Sequence, residues 1–161
     1  QLSANVPLRK PEDAKGLKFR IQSSDVLEAQ FKAVGGNPQK ISFSEVYQAL
    51  QTGVVDGTEN PWSNIYSKKF HEVQKYIMES NHGALDYMVI TNAKWWDGLP
   101  ADVRKGLSEA MAESIAYGNK VADEETADFR QKVINENKAQ VIALTKDEVK
   151  AWRQEIGRAH V

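Results

Sequence analysis

The sequence predicts an α/β fold, and three observations carry that prediction. Strand-like alternation and helix-like spacing take turns through the first hundred residues. Helix-start signals follow the strand candidates at short intervals, and from Pro100 onward apolar residues recur at helical spacing to about Glu136. Gly16-Leu17-Lys18-Phe19-Arg20-Ile21-Gln22 alternates apolar and polar side chains, which is a half-buried strand. Ser23-Ser24-Asp25 then supplies a helix start before Val26, Phe31 and Val34, and Gly35-Gly36-Asn37-Pro38 ends that helix. Lys40-Ile41 is a short strand candidate, and Ser42-Phe43-Ser44-Glu45 has the spacing of a capping box ahead of a helix at Val46-Tyr47-Gln48-Ala49-Leu50.

The second half continues the pattern. Asn60-Pro61 predicts a helix from Pro61 to about Lys68, with Asn60 as its N-cap and Pro61 pre-set for the first helical position. Tyr76 to Met78 and Asp86 to Thr91 read as strands. Val103, Leu107, Met111, Ile115, Gly118, Ala122, Phe129 and Val133 trace one face of a long helix. Gln140 to Leu144 reads as a strand, and Thr145-Lys146-Asp147-Glu148 is a second capping box, opening a final helix. The expected organisation is an α/β ligand-binding region over residues 1–99 and a returning long helix, strand and helix over 100–155. Residues 156–161 form an expected non-native tail, because Ile156-Gly157-Arg158-Ala159-His160-Val161 matches a reading frame of a common sequencing-adapter oligonucleotide.

Composition narrows the function. The chain is 41% hydrophobic and 27% charged, enough to bury one substantial core. A net charge of -1 with dispersed Lys and Arg offers no basic stripe, so nucleic acid is not an expected partner. No window reaches the roughly 18 apolar residues of a membrane span, so the chain is not expected to be membrane-embedded; any export signal is expected upstream of Gln1. There are no cysteines, which removes disulfides and thiol chemistry.

Catalytic and metal chemistry find little footing. His71-Glu72-Val73-Gln74-Lys75 carries a lysine where the zinc-helix motif needs its second histidine, and His71, His82 and His160 are too scattered for ligand spacing. Nucleophile-elbow, phosphate-loop and dinucleotide motifs are absent from the sequence. Neither an enzyme nor a cofactor or metal requirement is expected. A binding reading has more material. Arg20 projects from a predicted strand, where a guanidinium can grip a carboxylate with two parallel hydrogen bonds, although strand arginines commonly serve salt bridges. Asn60 brings amide donors to the positive end of a helix dipole, and is equally readable as a cap alone. Phe43 and Trp62 are the aromatics nearest these elements, as cleft walls or as core.

These residues lie in stretches that resemble the substrate-binding proteins of tripartite ATP-independent periplasmic (TRAP) transporters. Gly16 to Leu27, Phe43 to Gly57 and Glu59-Asn60-Pro61-Trp62-Ser63-Asn64-Ile65-Tyr66 carry the likeness. It continues through Asn81-His82-Gly83 and Trp96-Asp97-Gly98-Leu99-Pro100 to about Trp152. The resemblance implies a periplasmic-binding-protein-like lobe, a mixed sheet flanked by helices, plus a long C-terminal helix, with the first lobe largely missing. It also implies a non-enzymatic periplasmic protein that captures a small carboxylate and hands it to TRAP membrane permease subunits, without a cofactor. Arg20 matches the family's carboxylate-binding arginine, Asn60 its asparagine in the Glu-Asn-Pro segment, and Phe43 its ligand-packing aromatic. Trp62 resembles the dicarboxylate branch, which implies succinate, malate or fumarate; a monocarboxylate or sugar acid, or a sensory domain of the same fold, are the alternatives. With a lobe missing, Ile21, Val89 and parts of the long helix are expected to expose apolar surface.

Overall fold

The computed structural model describes residues 1–157; Arg158 to Val161, most of the expected tail, lie outside the described residues. Two compact units make up the chain, Gln1–Ala84 with Phe129–Val161 and, separately, Leu85–Asp128.

The first unit is built on a six-stranded sheet of order β3-β2-β4-β1-β5-β6. Its strands are β1 (Leu2–Ala4), β2 (Lys18–Ile21), β3 (Asn37–Lys40), β4 (Gly57–Glu59), β5 (Tyr76–Glu79) and β6 (Gln140–Ala143). β2 runs parallel to β3 and β4, β5 runs parallel to β6, and β1 is antiparallel to both β4 and β5. Five strands therefore share one direction, and the first residue of the chain arrives at the edge where those five end. Pro38 is tolerated in β3 because that strand is at the sheet's edge and needs fewer ladder donors.

Alternation assigns the two faces. Phe19 and Ile21 join Leu2, Ala4, Met78 and Ile142 on one face, covered by α1 (Asp25–Ala33) through Phe31 and by α6 (Lys146–Gly157) through Trp152 and Ile156. Ile21 is thus fully buried, not exposed as expected, because α1 and α6 seal that face without help from any other lobe. On the other face, Ile77 packs with Trp62 and Ile65 of α3 (Trp62–Ser67) and with Val133 of α5 (Ala101–Glu136). A third cluster joins Val46, Ala49 and Leu50 of α2 (Val46–Gln51) to Val55 and Phe70, with Ile41 and Phe43 packed against it.

Local signals succeed and fail for identifiable reasons. Ser24 caps α1 through Leu27 N at 3.3 Å. Thr145 and Glu148 form the reciprocal box, Glu148 Oε2 accepting from Thr145 N at 2.7 Å and Thr145 Oγ1 from Glu148 N at 3.2 Å. The box expected at Ser42 does not form: Ser42 Oγ is spent on Ser44 Oγ at 2.8 Å, and Phe43–Glu45 make a 3-10 turn ahead of α2. α6 continues through Ile156, which is buried, to Gly157, past the expected start of the tail.

The second unit holds α4 (Ala93–Asp97), capped by Asn92 Oδ1 accepting from Trp95 N at 3.1 Å, and much of α5. The strand expected at Asp86 to Thr91 has no regular structure, and Tyr87, Met88, Val89 and Ile90 are 69–85% exposed. A groove of about 670 Å³ runs between this segment, Trp95, and the Leu107, Met111 and Ile115 stripe. No helix among the described residues is long and apolar enough to cross a membrane.

Candidate carboxylate-binding site

The edge of the sheet where five strands end is where open α/β sheets present ligand sites. β2 and β4 bring Arg20 and Thr58 side by side, and Thr58 faces Ser3 across β1. The three residues share the face opposite Phe19 and Ile21, and all are at most 2% exposed. A buried guanidinium needs partners. Arg20 Nε donates to the Ile41 carbonyl at 2.9 Å, and the guanidinium carbon lies 5.5 Å from the centre of the Phe43 ring, within cation–π range. Among the described residues, the terminal guanidinium nitrogens have no hydrogen-bond partner. Burial lowers the Arg20 pKa and the nearby Glu59 carboxylate opposes that shift, but arginine stays cationic throughout.

Asn60 is two residues beyond Thr58 on the same face, 4% exposed. Its Nδ2 donates to Thr58 Oγ1 at 3.1 Å, and Thr58 Oγ1 donates to the Arg20 carbonyl at 3.3 Å. Asn60 is not the N-cap expected from sequence. Pro61 occupies that position, its carbonyl accepting from Asn64 N and Ile65 N at 3.1 Å, because its extended backbone already turns the chain into α3. The Asn60 amide is thereby released from capping and turned to the sheet edge.

Arg20, Asn60 and Phe43 are therefore brought together, by direct contact or through Thr58. Trp62 is not seen to join them; it is 4% exposed and packs into the core with Ile65 and Ile77. Thr58 and the Ile41 carbonyl were not singled out from sequence, and only their strand register reveals them. Beside the site, Glu59 has its pKa raised by burial, opposed by the positive charge of Arg20. His82 Nε2 is 3.9 Å from Glu59 Oε2, and its Nδ1 is 2.7 Å from Ser80 Oγ.

The remaining titratable cluster is structural in its contacts. His71, 1% exposed, bridges the Ile65 carbonyl (Nδ1, 3.2 Å) and Glu136 (Nε2, 2.9 Å), and its ring stacks on Tyr66. His71, Glu72 and Glu136 place ligand-type atoms within 4.8 Å of one another. Lys138 Nζ lies 2.8 Å from Glu72 and 3.2 Å from Glu136, so its ammonium pairs with both carboxylates. His160 lies outside the described residues.

An open α/β sheet with a buried cation at its strand ends is a geometry that suits a small anion. Comparison with known proteins narrows the class. The profile described as "Bacterial extracellular solute-binding protein, family 7" matches residues 1–160, and the chain belongs to this family. It is 54% identical over 159 residues to the C4-dicarboxylate-binding periplasmic protein DctP of Rhodobacter capsulatus, covering 99% of this chain and 48% of that protein. The fold matches a TRAP periplasmic solute-binding protein from Shewanella oneidensis, solved with succinate, at a TM-score of 0.95 and 52% identity over 99% of this chain and 52% of that one. A Pseudomonas aeruginosa counterpart, solved with L-malate, gives 0.94 and 42% identity over 99% and 56%. The chain spans about half the length of the relatives it matches.

Proposed function

We propose that this chain is the carboxylate-gripping half of a periplasmic solute-binding protein that captures a four-carbon dicarboxylate, such as succinate, malate or fumarate, for a TRAP transporter. In this reading residues 1–99 supply the second-lobe ligand-binding region and residues 100–155 pack back on the lobes. One observation carries it. Arg20 is almost wholly buried at the strand ends, yet spends only Nε on the protein and keeps the rest of its planar fork for a partner.

A carboxylate is the partner that fits, because two parallel N–H···O bonds satisfy both its oxygens and the fork together. The Ile41 carbonyl and the Phe43 ring hold the guanidinium plane before any ligand arrives, so less side-chain entropy is lost on binding. Asn60 adds a neutral amide whose oxygen and nitrogen are already oriented by Asn64 and Thr58. Groups for the second carboxylate are assigned to the half of the protein that this chain does not span. The protein is taken to be non-catalytic, to act in the periplasm, and to deliver its ligand to membrane permease subunits driven by an ion gradient.

The test is isothermal titration of succinate, malate, fumarate, pyruvate and sialic acid into a full-length chain in which this sequence replaces the matching half of the Rhodobacter capsulatus relative. Tight binding of a four-carbon diacid that Arg20→Ala abolishes supports the reading. Preference for pyruvate or sialic acid overturns the ligand class, and unchanged affinity in Arg20→Ala overturns the anchor.

A further inference from the structure

Hydrogen bonds along the strand-end edge form one unbroken run from α6 to Arg20. Arg153 donates both Nε (3.2 Å) and Nη2 (2.8 Å) to the Asn81 carbonyl. Asn81 has a left-handed backbone, φ 41°, which asparagine adopts more readily than most residues. Its Oδ1 accepts from Gln1 Nε2 at 2.9 Å, and its backbone N donates to Gln1 Oε1 at 3.4 Å. Gln1 in turn pairs with Asn60 in both directions, Gln1 N to Asn60 O at 2.8 Å and Asn60 N to Gln1 O at 2.9 Å. From Asn60 the run passes through Thr58 Oγ1 to the Arg20 carbonyl.

The far end of this run is a fixed post. α6 buries Trp152 and Ile156 in the main core, and Trp152 Nε1 donates to the Arg9 carbonyl at 3.3 Å. Arg153 stands between those two buried residues in sequence, so its fork leaves a helix that cannot easily shift. Two donors converging on one carbonyl require a planar group; an ammonium supplies the charge but not the fork.

We propose that Arg153 is a positioning residue for the carboxylate site: by pinning Asn81, and through it Gln1, it holds the backbone pairing that sets the Asn60 amide. The proposal rests on Arg20 and Asn60 being the ligand anchors. Contiguity alone does not establish coupling, and a double-mutant cycle measures it directly.

The experiment uses the full-length chain described above, with succinate affinity measured for the parent, Arg153→Lys, Arg153→Gln, Asn60→Ala and both double variants, each first checked for an unchanged urea midpoint. Positioning predicts that Arg153→Lys and Arg153→Gln each weaken succinate by about three- to tenfold, and that neither weakens it further once Asn60 is alanine. If Arg153→Lys binds like the parent while Arg153→Gln does not, the effect is attraction by charge alone and the proposal falls. Equal losses with and without Asn60 also overturn it. Should Arg153→Gln lose its urea midpoint, the milder Arg153→Lys carries the test. No succinate binding by the parent refutes the ligand reading itself, and the proposal with it; binding by the parent without coupling refutes only the proposal.

Discussion

His71 Nε2 lies 2.9 Å from Glu136 Oε2, so a buried ring on the turn after α3 is fastened to the last residue of α5. The ring also stacks on Tyr66, which stacks in turn on Phe129 at 5.3 Å between centroids. His71→Ala empties a fully enclosed site and leaves the Ile65 carbonyl without its ring partner. The expected cost is about 2–3 kcal/mol in urea unfolding, and a loss below roughly 0.5 kcal/mol would show that the ring is merely accommodated.

The acid side of stability has two windows. Burial, aided by the positive charge of Arg153, pushes the His82 pKa down to about 3. A histidine depressed in the folded state contributes stability that is complete above its unfolded value of about 6.5 and declines as pH falls from there toward the folded value. Glu136 is also depressed, first by its contact with His71 and then by Lys138. Its contribution is present above the ordinary carboxylate range and is lost only as pH falls through its lower folded value. Urea midpoints followed from pH 7.5 to 3.5 should therefore begin to decline near pH 6.5, with His82→Gln removing the early part of the slope and Glu136→Gln a share of the late part, which Glu28, Glu72 and Glu148, also depressed, contribute to as well. An unchanged slope in either variant dismisses that group as a source.

Gly57 has no room for a methyl group. A Cβ there would overlap the Ser3 carbonyl oxygen and stand 2.8 Å from the Phe19 ring, between a central ladder and the main core. Gly57→Ala should cost about 1–3 kcal/mol through forced movement of β1 or of Phe19. Thermal unfolding at the parent's midpoint would refute the clash.

On the proposed function, Arg20→Ala deletes the guanidinium that would grip a ligand carboxylate, and should weaken diacid binding by about 2–4 kcal/mol. Arg20→Lys should recover only part of that, since a point ammonium cannot both reach the Ile41 carbonyl and present a fork to the ligand. Full recovery in titration with succinate would mean that charge alone suffices.

Much of this was legible before any coordinates. The Thr145 box, the Ser24 cap and the long apolar stripe of α5 each depend on neighbours within a turn or two, and each forms where sequence predicts it. Arg20 was readable because alternation with Phe19 and Ile21 fixes its face. What escaped was non-local. Leu2–Ala4 and Gly57–Glu59 are three-residue strands with weak intrinsic preference, made strands by pairing with each other and with β2 and β5. Asp86 to Thr91 fails in the opposite sense: the apolar run Tyr87-Met88-Val89-Ile90 is there, but a strand needs a ladder partner, and none among the described residues supplies one. The Asn60 misreading came from a one-residue offset, since Pro61 rather than Asn60 makes the turn into α3.

The antiparallel β1 strand also sets a clock for synthesis. It lies between β4 and β5, so its β4 flank can close first and its β5 flank only once that later strand exists. At about 5–20 residues per second, Met78 leaves the ribosome roughly 4–15 s after its register partner Leu2. For the last part of that interval Leu2-Ser3-Ala4 can pair with β4 while its β5 edge stays open, and α1 and its neighbouring strands can already assemble. Joining the two sides of the sheet is therefore a late, long-range closure, and anything that holds Leu2–Ala4 extended until β5 emerges should raise the yield of folded chain more than any improvement to local helix propensity.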